Sequence, residues 1–316
     1  YFAPDTRPGV VQLEGGLALG VTICEDAWQN AGAVPTDYES NPISQLVELI
    51  DSGTEFSATV NLSSSPYHLT KPRLRAEVAQ KASYDLGHPF LLANQVGGND
   101  DLVFDGRSVV AWPNGTFVQA PGWCSGVLLV ELDNPGSSMW IPLRSGTPHD
   151  GCDCDCQIVE SGYPQVPEAG RDLLCAVTCG LRDYCRKSGI DKIVLGLSGG
   201  IDSAVSACIA VRALGPENVI GISMPSRHSS EHSKNDAKYT ADALGIEYQI
   251  HQIEDLHKST ENLLKDEFKD GFDVAAENIQ ARLRGLIVMG VANSRGAMAI
   301  ATGNKSELAQ GYCTLY

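Results

Sequence analysis

Residues 192–207 read KIVLGLSGGIDSAVSA, an apolar β-prone run that passes through two glycines into an alanine-rich helical pattern. That order puts Ser198, Gly199 and Gly200 beyond the carboxyl end of a strand and at the start of a helix, where unpaired N–H groups and the positive end of the helix dipole favour an anion. Glycines let the backbone close on the anion as a nest, and Ser198 and Ser203 add hydroxyl donors. Asp202 stands where a loop of the form G-x-x-x-x-G-K-[ST] carries its lysine. A carboxylate beside a phosphate is tolerated chiefly through Mg2+, so the chemistry need not centre on a terminal phosphate. A second reactive residue, Cys24, ends the apolar run in LGVTICEDAW. A thiol on a strand-end turn is open to substrate and near backbone N–H groups that steady an oxyanion. Taken alone, a cysteine there is more often a buried inert thiol.

The elements that must position these residues fall into two alternating series. Residues 17–132 alternate β-prone runs with helical patterns, which predicts a layered α/β domain with a mixed sheet. Asn114-Gly115 marks a hairpin inside it. From about residue 133 to 167 the pattern lapses into Gly, Pro and Ser, the signature of a linker. The expected division is a first domain over 1–140, a linker over 141–167 and a second domain over 168–316. In the second, helices are expected over 168–188, 202–214, 231–244 and, as one or two, 256–293. Strands are expected over 192–197, 218–223, 247–252 and 297–302. Strands separated by helices imply a parallel, doubly wound sheet. No internal repeat interrupts either series.

Composition narrows the function. With 316 residues, 43% of them hydrophobic, the chain is long enough for about two globular domains. The formal net charge of −16 argues against DNA or tRNA as a partner, although one local site can still take a small anion. No apolar run reaches the length of about 20 residues that a membrane span needs. Ten cysteines spread through core-like segments of a chain this long point to reduced thiols and a cytoplasmic protein. Cys152, Cys154 and Cys156 follow a C-x-C-x-C spacing, unlike the paired C-x-x-C of structural zinc sites, and read as incidental linker thiols. The chain opens on YFAPDTRPG and stops at GYCTLY, which suggests a piece of a longer polypeptide.

SGGIDS is similar to the pyrophosphate loop of the N-type ATP pyrophosphatases, which cleave ATP between its α and β phosphates and transfer AMP to an acceptor. The closing segment, from AAENIQARLRGLIVMGVANSRG through AMAIATGNKSELAQGYCTLY, resembles the NAD+ synthetase branch of that family. ICEDAW, NLSSSPYHLTK and NQVGGNDDLVFDGRSVVAWPNG together resemble the nitrilase-type glutaminase domain fused to glutamine-dependent NAD+ synthetases. The resemblance implies a nitrilase-like domain followed by an ATP pyrophosphatase domain; a homo-oligomer is the expected assembly.

Its implied site residues follow position by position. Cys24 is the thiolate that attacks the glutamine amide, and Glu25, Ser65 and Lys71 contact that glutamine. Gly196, Leu197, Ser198, Gly199, Gly200, Ile201, Asp202, Ser203 and Thr302 surround ATP. Asn278, Arg282, Glu307, Tyr312 and Thr314 bind deamido-NAD+, and Asp202 and Glu307 hold Mg2+. Spacing supports part of this, since Asn278 and Arg282 lie four residues apart and share a helix face. Lys305 can offset phosphate charge as a point cation. Arg227, in SMPSRHSSEHSKNDA, is either a ligand contact or a solvated loop arginine. The family's glutamate base and its lysine lie upstream of YFAPD, which suggests truncation rather than a dead amidase.

Three readings compete. The first is glutamine-dependent NAD+ synthesis by a carbon–nitrogen ligase using ATP as co-substrate. The second is another amidotransferase of the pyrophosphatase family, against which the ICEDAW module speaks. The third is a non-catalytic nucleotide-binding subunit with an inactive glutaminase half.

Overall fold

The computed structural model describes residues 7–29, 31–32, 39–143, 159–160, 169–227, 229–266 and 274–311. The chain divides into two compact units, Tyr1–Gly180 and Leu181–Tyr316. Among the described residues, no helix is long and apolar enough to cross a membrane.

The first unit runs β1 (Gly9–Gln12), β2 (Ala18–Ile23), α1 (Pro42–Asp51), β3 (Ala58–Ser63), α2 (Lys71–Leu86), β4 (Phe90–Asn94), β5 (Val96–Asn99), β6 (Leu102–Asp105), β7 (Val109–Ala111), β8 (Phe117–Gln119), β9 (Gly126–Glu131), β10 (Asn134–Pro142) and β11 (Val159–Glu160). Helix α3 (Ala169–Ser188) follows, and the division between the units falls inside it. Seven strands form one sheet in the order β1-β2-β3-β4-β7-β8-β11. β2, β3 and β4 pair in parallel and the others antiparallel, the mixed sheet expected.

Local chemistry accounts for the elements. Asn41 caps α1 by accepting from the N–H groups of Ile43 and Ser44, with Pro42 in the first turn. Ile43 and Leu46 then reach the main core beside Phe90, Leu92 and Val109. The hairpin at Asn114-Gly115 joins β7 to β8, with Gly115 at φ 86° and Trp112 N–H bonded to the Thr116 carbonyl. The structure departs from the expected linker at its start, because β10 pairs with β9 over Asn134–Pro142. Proline, glycine and serines in β10 mimic a loop by composition, while the pairing gives it a strand partner. The β5–β6 hairpin is likewise hidden in a glycine-containing stretch.

The second unit runs β12 (Ile193–Gly196), α4 (Ile201–Leu214), β13 (Val219–Ser223), α5 (Glu231–Leu244), β14 (Glu247–Ile250), α6 (Glu254–Leu263), α7 (Val274–Arg295), β15 (Met298–Ile300) and α8 (Lys305–Gln310). Its sheet is wholly parallel in the order β14-β13-β12-β15. Ala207 and Ala210 of α4 and Ala237 and Ala241 of α5 pack with Ile193 and Leu195 on one face. Ala292, Val288 and Val291 of α7 pack with Val194, Ile220 and Ile222 on the other. Cover on both faces explains why β12 and β13 read as continuous apolar runs, and it makes the sheet doubly wound.

Candidate functional site

In the first unit the site grows from the end of β2. Cys24 begins a short 3-10 helix, Cys24–Ala27, with φ 46°, a left-handed conformation that costs a non-glycine residue roughly 1–3 kcal/mol. Two bonds hold the turn. Asp26 accepts from the Ile23 N–H at 2.7 Å, and Asn61 Nδ2 donates to the Cys24 carbonyl at 3.2 Å. Asn61 is fully buried on β3, donates also to Thr22 Oγ1, and accepts from Ser63 Oγ at 2.6 Å. A buried asparagine satisfied in this way fixes the backbone under the thiol.

Lys71 opens α2 with its ammonium 3.9 Å from the ring centre of Trp28, the residue that follows the 3-10 helix. Burial and then the nearby Arg75 lower its pKa, while Cys24 and Glu25 pull it back up. The structure therefore brings Lys71, Cys24 and Glu25 into one electrostatic neighbourhood. Ser65 is only 2% exposed; its N–H donates to Asn94 Oδ1, but its hydroxyl has no partner among the described residues. A buried hydroxyl in that state is suited to accept a further partner, such as a ligand or an ordered water. Asn61 and Trp28 escaped the sequence reading. The signal for Asn61 was its place in the polar series Thr59, Asn61, Ser63, alternate positions of β3 that are all buried.

In the second unit the site grows from the end of β12. Leu197 still donates to the Ile222 carbonyl, and the chain then turns through Ser198, Gly199 and Gly200 into α4. Gly199 has φ 82°, and a side chain there would overlap the backbone carbonyl of Ser233 in α5. Ser198 Oγ accepts from the Gly200 N–H at 3.1 Å, and the buried Ser203 Oγ accepts from the Ser198 N–H at 3.3 Å and donates to the Gly200 carbonyl at 2.9 Å. The serines thus brace the turn. Gly200, as N-cap, has no side chain to cap α4, so its first-turn N–H groups face outward as an anion site does. Ile201 and Asp202 are exposed there.

Thr302 lies two residues beyond the last β12–β15 pair, Leu195 with Ile300, and so comes level with the turn. Asn304 Nδ2 reaches Asp202 Oδ2 at 3.5 Å, which brings the segment after β15 to the same place. Glu307 is drawn in by a capping box: its N–H donates to Asn304 Oδ1, and its carboxylate accepts from the Asn304 N–H at 3.0 Å. Glu307 thus serves its own helix as well as any ligand. Lys305 is exposed at the start of α8.

Among the described residues, no cluster of three or more His, Cys, Asp or Glu side chains could hold a metal ion. The Asp202 and Glu307 carboxylates suit Mg2+, which binds through one or two carboxylates and completes its shell with water and substrate phosphates.

Asn278 is half-buried and Arg282 exposed, one turn apart on α7. Arg227 is exposed, yet it is held by its neighbours. Its guanidinium pairs with Glu254 at 3.1 Å and Glu261 at 2.9 Å, both on α6, and meets the buried His257. Tyr312, Thr314 and the three cysteines Cys152, Cys154 and Cys156 lie outside the described residues.

Residues 1–141 match the carbon–nitrogen hydrolase family and residues 173–316 the NAD synthase family, so the chain joins a segment of the first family to a segment of the second. All of the chain aligns with a glutamine-dependent NAD(+) synthetase of Synechocystis at 40% identity, covering 53% of that protein. All of it also aligns with that of Thermotoga maritima at 38%, covering 55%. The chain therefore belongs to the glutamine-dependent NAD(+) synthetase family and spans about half the length of the curated relatives it matches. Among solved structures, the glutamine-dependent NAD+ synthetase of Acinetobacter baumannii, in complex with ADP, superposes with a TM-score of 0.80 at 33% identity. That match covers 100% of this chain and 54% of the other.

Proposed function

We propose that the whole protein makes NAD+ from deamido-NAD+, with glutamine as the nitrogen source and ATP as co-substrate, as a homo-oligomer in the cytoplasm. Residues 1–140 form part of the glutaminase domain, 141–167 the linker and 168–316 part of the synthetase domain. The Cys24 thiolate attacks the amide carbon of glutamine, forming a glutamyl thioester and releasing ammonia; water then frees glutamate. Ser65 and Lys71 hold the glutamine, Ser65 through a hydroxyl without a partner among the described residues, and Glu25 lies beside them. The turn at Cys24 sets the thiol at the strand end, where the developing oxyanion meets backbone N–H groups.

In the second half, the nicotinate carboxylate of deamido-NAD+ attacks the α-phosphorus of ATP and pyrophosphate departs. A carboxylate is a poor electrophile, whereas the resulting acyl-adenylate has AMP as its leaving group. Ammonia attacks that carbonyl, giving NAD+ and AMP. Residues Gly196 to Ser203, through those backbone N–H groups that the turn does not use for itself, and the hydroxyl of Thr302 hold the ATP phosphates, and Asn278, Arg282, Glu307, Tyr312 and Thr314 hold the dinucleotide. Mg2+ held by Asp202 and Glu307 would supply charge against the departing pyrophosphate.

The observation that carries this reading is the glycine turn closed against α5 at the carboxyl end of a central parallel strand, with Asp202 and Asn304 meeting beside it. ADP in the A. baumannii relative supports nucleotide binding in this family. The deciding measurement is AMP formation by the full-length protein with ATP, Mg2+ and ammonium. It is expected to depend on deamido-NAD+; AMP formed without the dinucleotide, or none at saturation, would remove the assignment.

A further inference from the structure

Asp172 lies outside the stretches matched by both families, one residue before the second begins. It is nevertheless 3% exposed and accepts three short hydrogen bonds within the first unit. Arg107 Nη2 and Trp123 Nε1 reach its Oδ1 at 2.6 and 2.7 Å, and the Tyr67 hydroxyl reaches its Oδ2 at 2.6 Å. Arg107 continues to Asp105 at 3.1 Å, and Asp105 binds the fully buried Arg75 at 2.7 Å. Two guanidinium groups and two carboxylates alternate, so the network is neutral when complete.

The path of this network explains its use. Tyr67 is two residues after Ser65, and Arg75 is one helical turn after Lys71. The segment that carries two of the three expected glutamine contacts is thus held from both ends, directly through Tyr67 and indirectly through Asp105 and Arg75. Arg107 and Trp123 sit at φ 49° and 63°, strained conformations that persist only where surrounding bonds over-determine them. The charges confirm the tightness. Burial opposes ionisation of Asp172, yet the bonds from Arg107, Tyr67 and Trp123 outweigh it and hold the carboxyl below its ordinary range. Burial and the same bond push the Tyr67 hydroxyl well above its usual pKa, so it stays a donor.

We infer that Asp172 is a positioning residue for the glutaminase site: through Tyr67 it sets segment 65–71, and with it the affinity for glutamine. This rests on the reading of Cys24 as a glutaminase nucleophile. Neither match contains Asp172, so the amidase half borrows a residue from the helix that follows it in the chain.

The test compares glutamine binding by full-length Cys24→Ala protein with and without Tyr67→Phe, using calorimetry. Phenylalanine keeps the edge-on packing against Trp123, 4.8 Å between ring centres, and removes only the hydroxyl. If the freed segment 65–71 loses its position, as the inference requires, glutamine binding weakens by about tenfold or more, within the scale of one hydrogen bond to a charged group. With Cys24 restored, KM for glutamine rises by the same factor while kcat and the ammonia-driven rate stay within about twofold. Equal glutamine affinity in the two proteins would overturn the inference while leaving the glutaminase reading intact, as would an equal fall in glutamine-driven and ammonia-driven rates. No glutamine binding even with Tyr67 present would instead remove the glutaminase reading. Asp172→Asn is expected to weaken binding in the same direction if it folds; Tyr67→Phe decides the matter if it does not.

Discussion

Both candidate sites hang on a turn at the end of a parallel strand, and each solves the same geometric problem differently. At Cys24 the residue must keep its side chain, so the chain accepts a left-handed conformation and steadies it with Asp26 and the buried Asn61. At Gly199 the side chain is given up, and the left-handed turn carries little strain. A nucleophilic site needs one atom in one place. An anion site needs several backbone donors converging, which suits glycines and a helix start. The polar residues follow the same division. At Cys24 the buried Asn61 and Ser63 reach in from the neighbouring strand, whereas Ser198 and Ser203 brace the turn at Gly199 from within it.

The comparison breaks most sharply at the thiol. Cys24→Ala is expected to lower glutamine-driven NAD+ synthesis by about 10^4-fold or more, because nothing replaces a covalent nucleophile. Ammonia-driven synthesis should persist, and parallel assays with the two nitrogen sources check this. Loss of both rates would end the proposed division of labour.

Next comes Gly199→Ala, which places a side chain against Ser233 and strains the turn. Ammonia-driven AMP formation should fall by about 10^2-fold or more, the scale on which misplaced oxyanion donors act. Glutamate release measured on the same protein should survive, since the change lies in the other unit.

The smallest effect is on acid stability. The folded state holds the Asp172 carboxyl below its ordinary value of 3.8. Its contribution is therefore fully present above that value and is lost as pH falls through the lower folded pKa. Asp172→Asn should flatten the loss of stability on acidification below about pH 4, read from denaturant midpoints across pH. A midpoint profile parallel to that of the unaltered protein would mean that the carboxylate is not held as described.

Much of this was readable from residue types in order. β12 and β13 are covered on both faces, so their continuous apolar runs between helical patterns pointed to a parallel sheet. Ser198, Gly199 and Gly200 reported the turn because glycine and serine have few other reasons to stand there. β10 was lost to its own proline, glycine and serines, whose turn chemistry outweighs a pairing that only the fold supplies. Asp172 had no local signature. Its partners Tyr67, Arg107 and Trp123 lie 105, 65 and 49 residues away, and no periodicity encodes a contact at such a distance. The ion pairs of Arg227 were hidden for a similar reason, as Glu254 and Glu261 come from a helix some thirty residues on.

The close fit of Gly199 against Ser233 bears on how such proteins diverge. Two separate prohibitions act at one atom, the torsion of the turn and the carbonyl of the neighbouring helix. A compensating change that relaxes one leaves the other in force, so stepwise drift has no passable intermediate. Lineages that keep this bend should stay frozen at position 199.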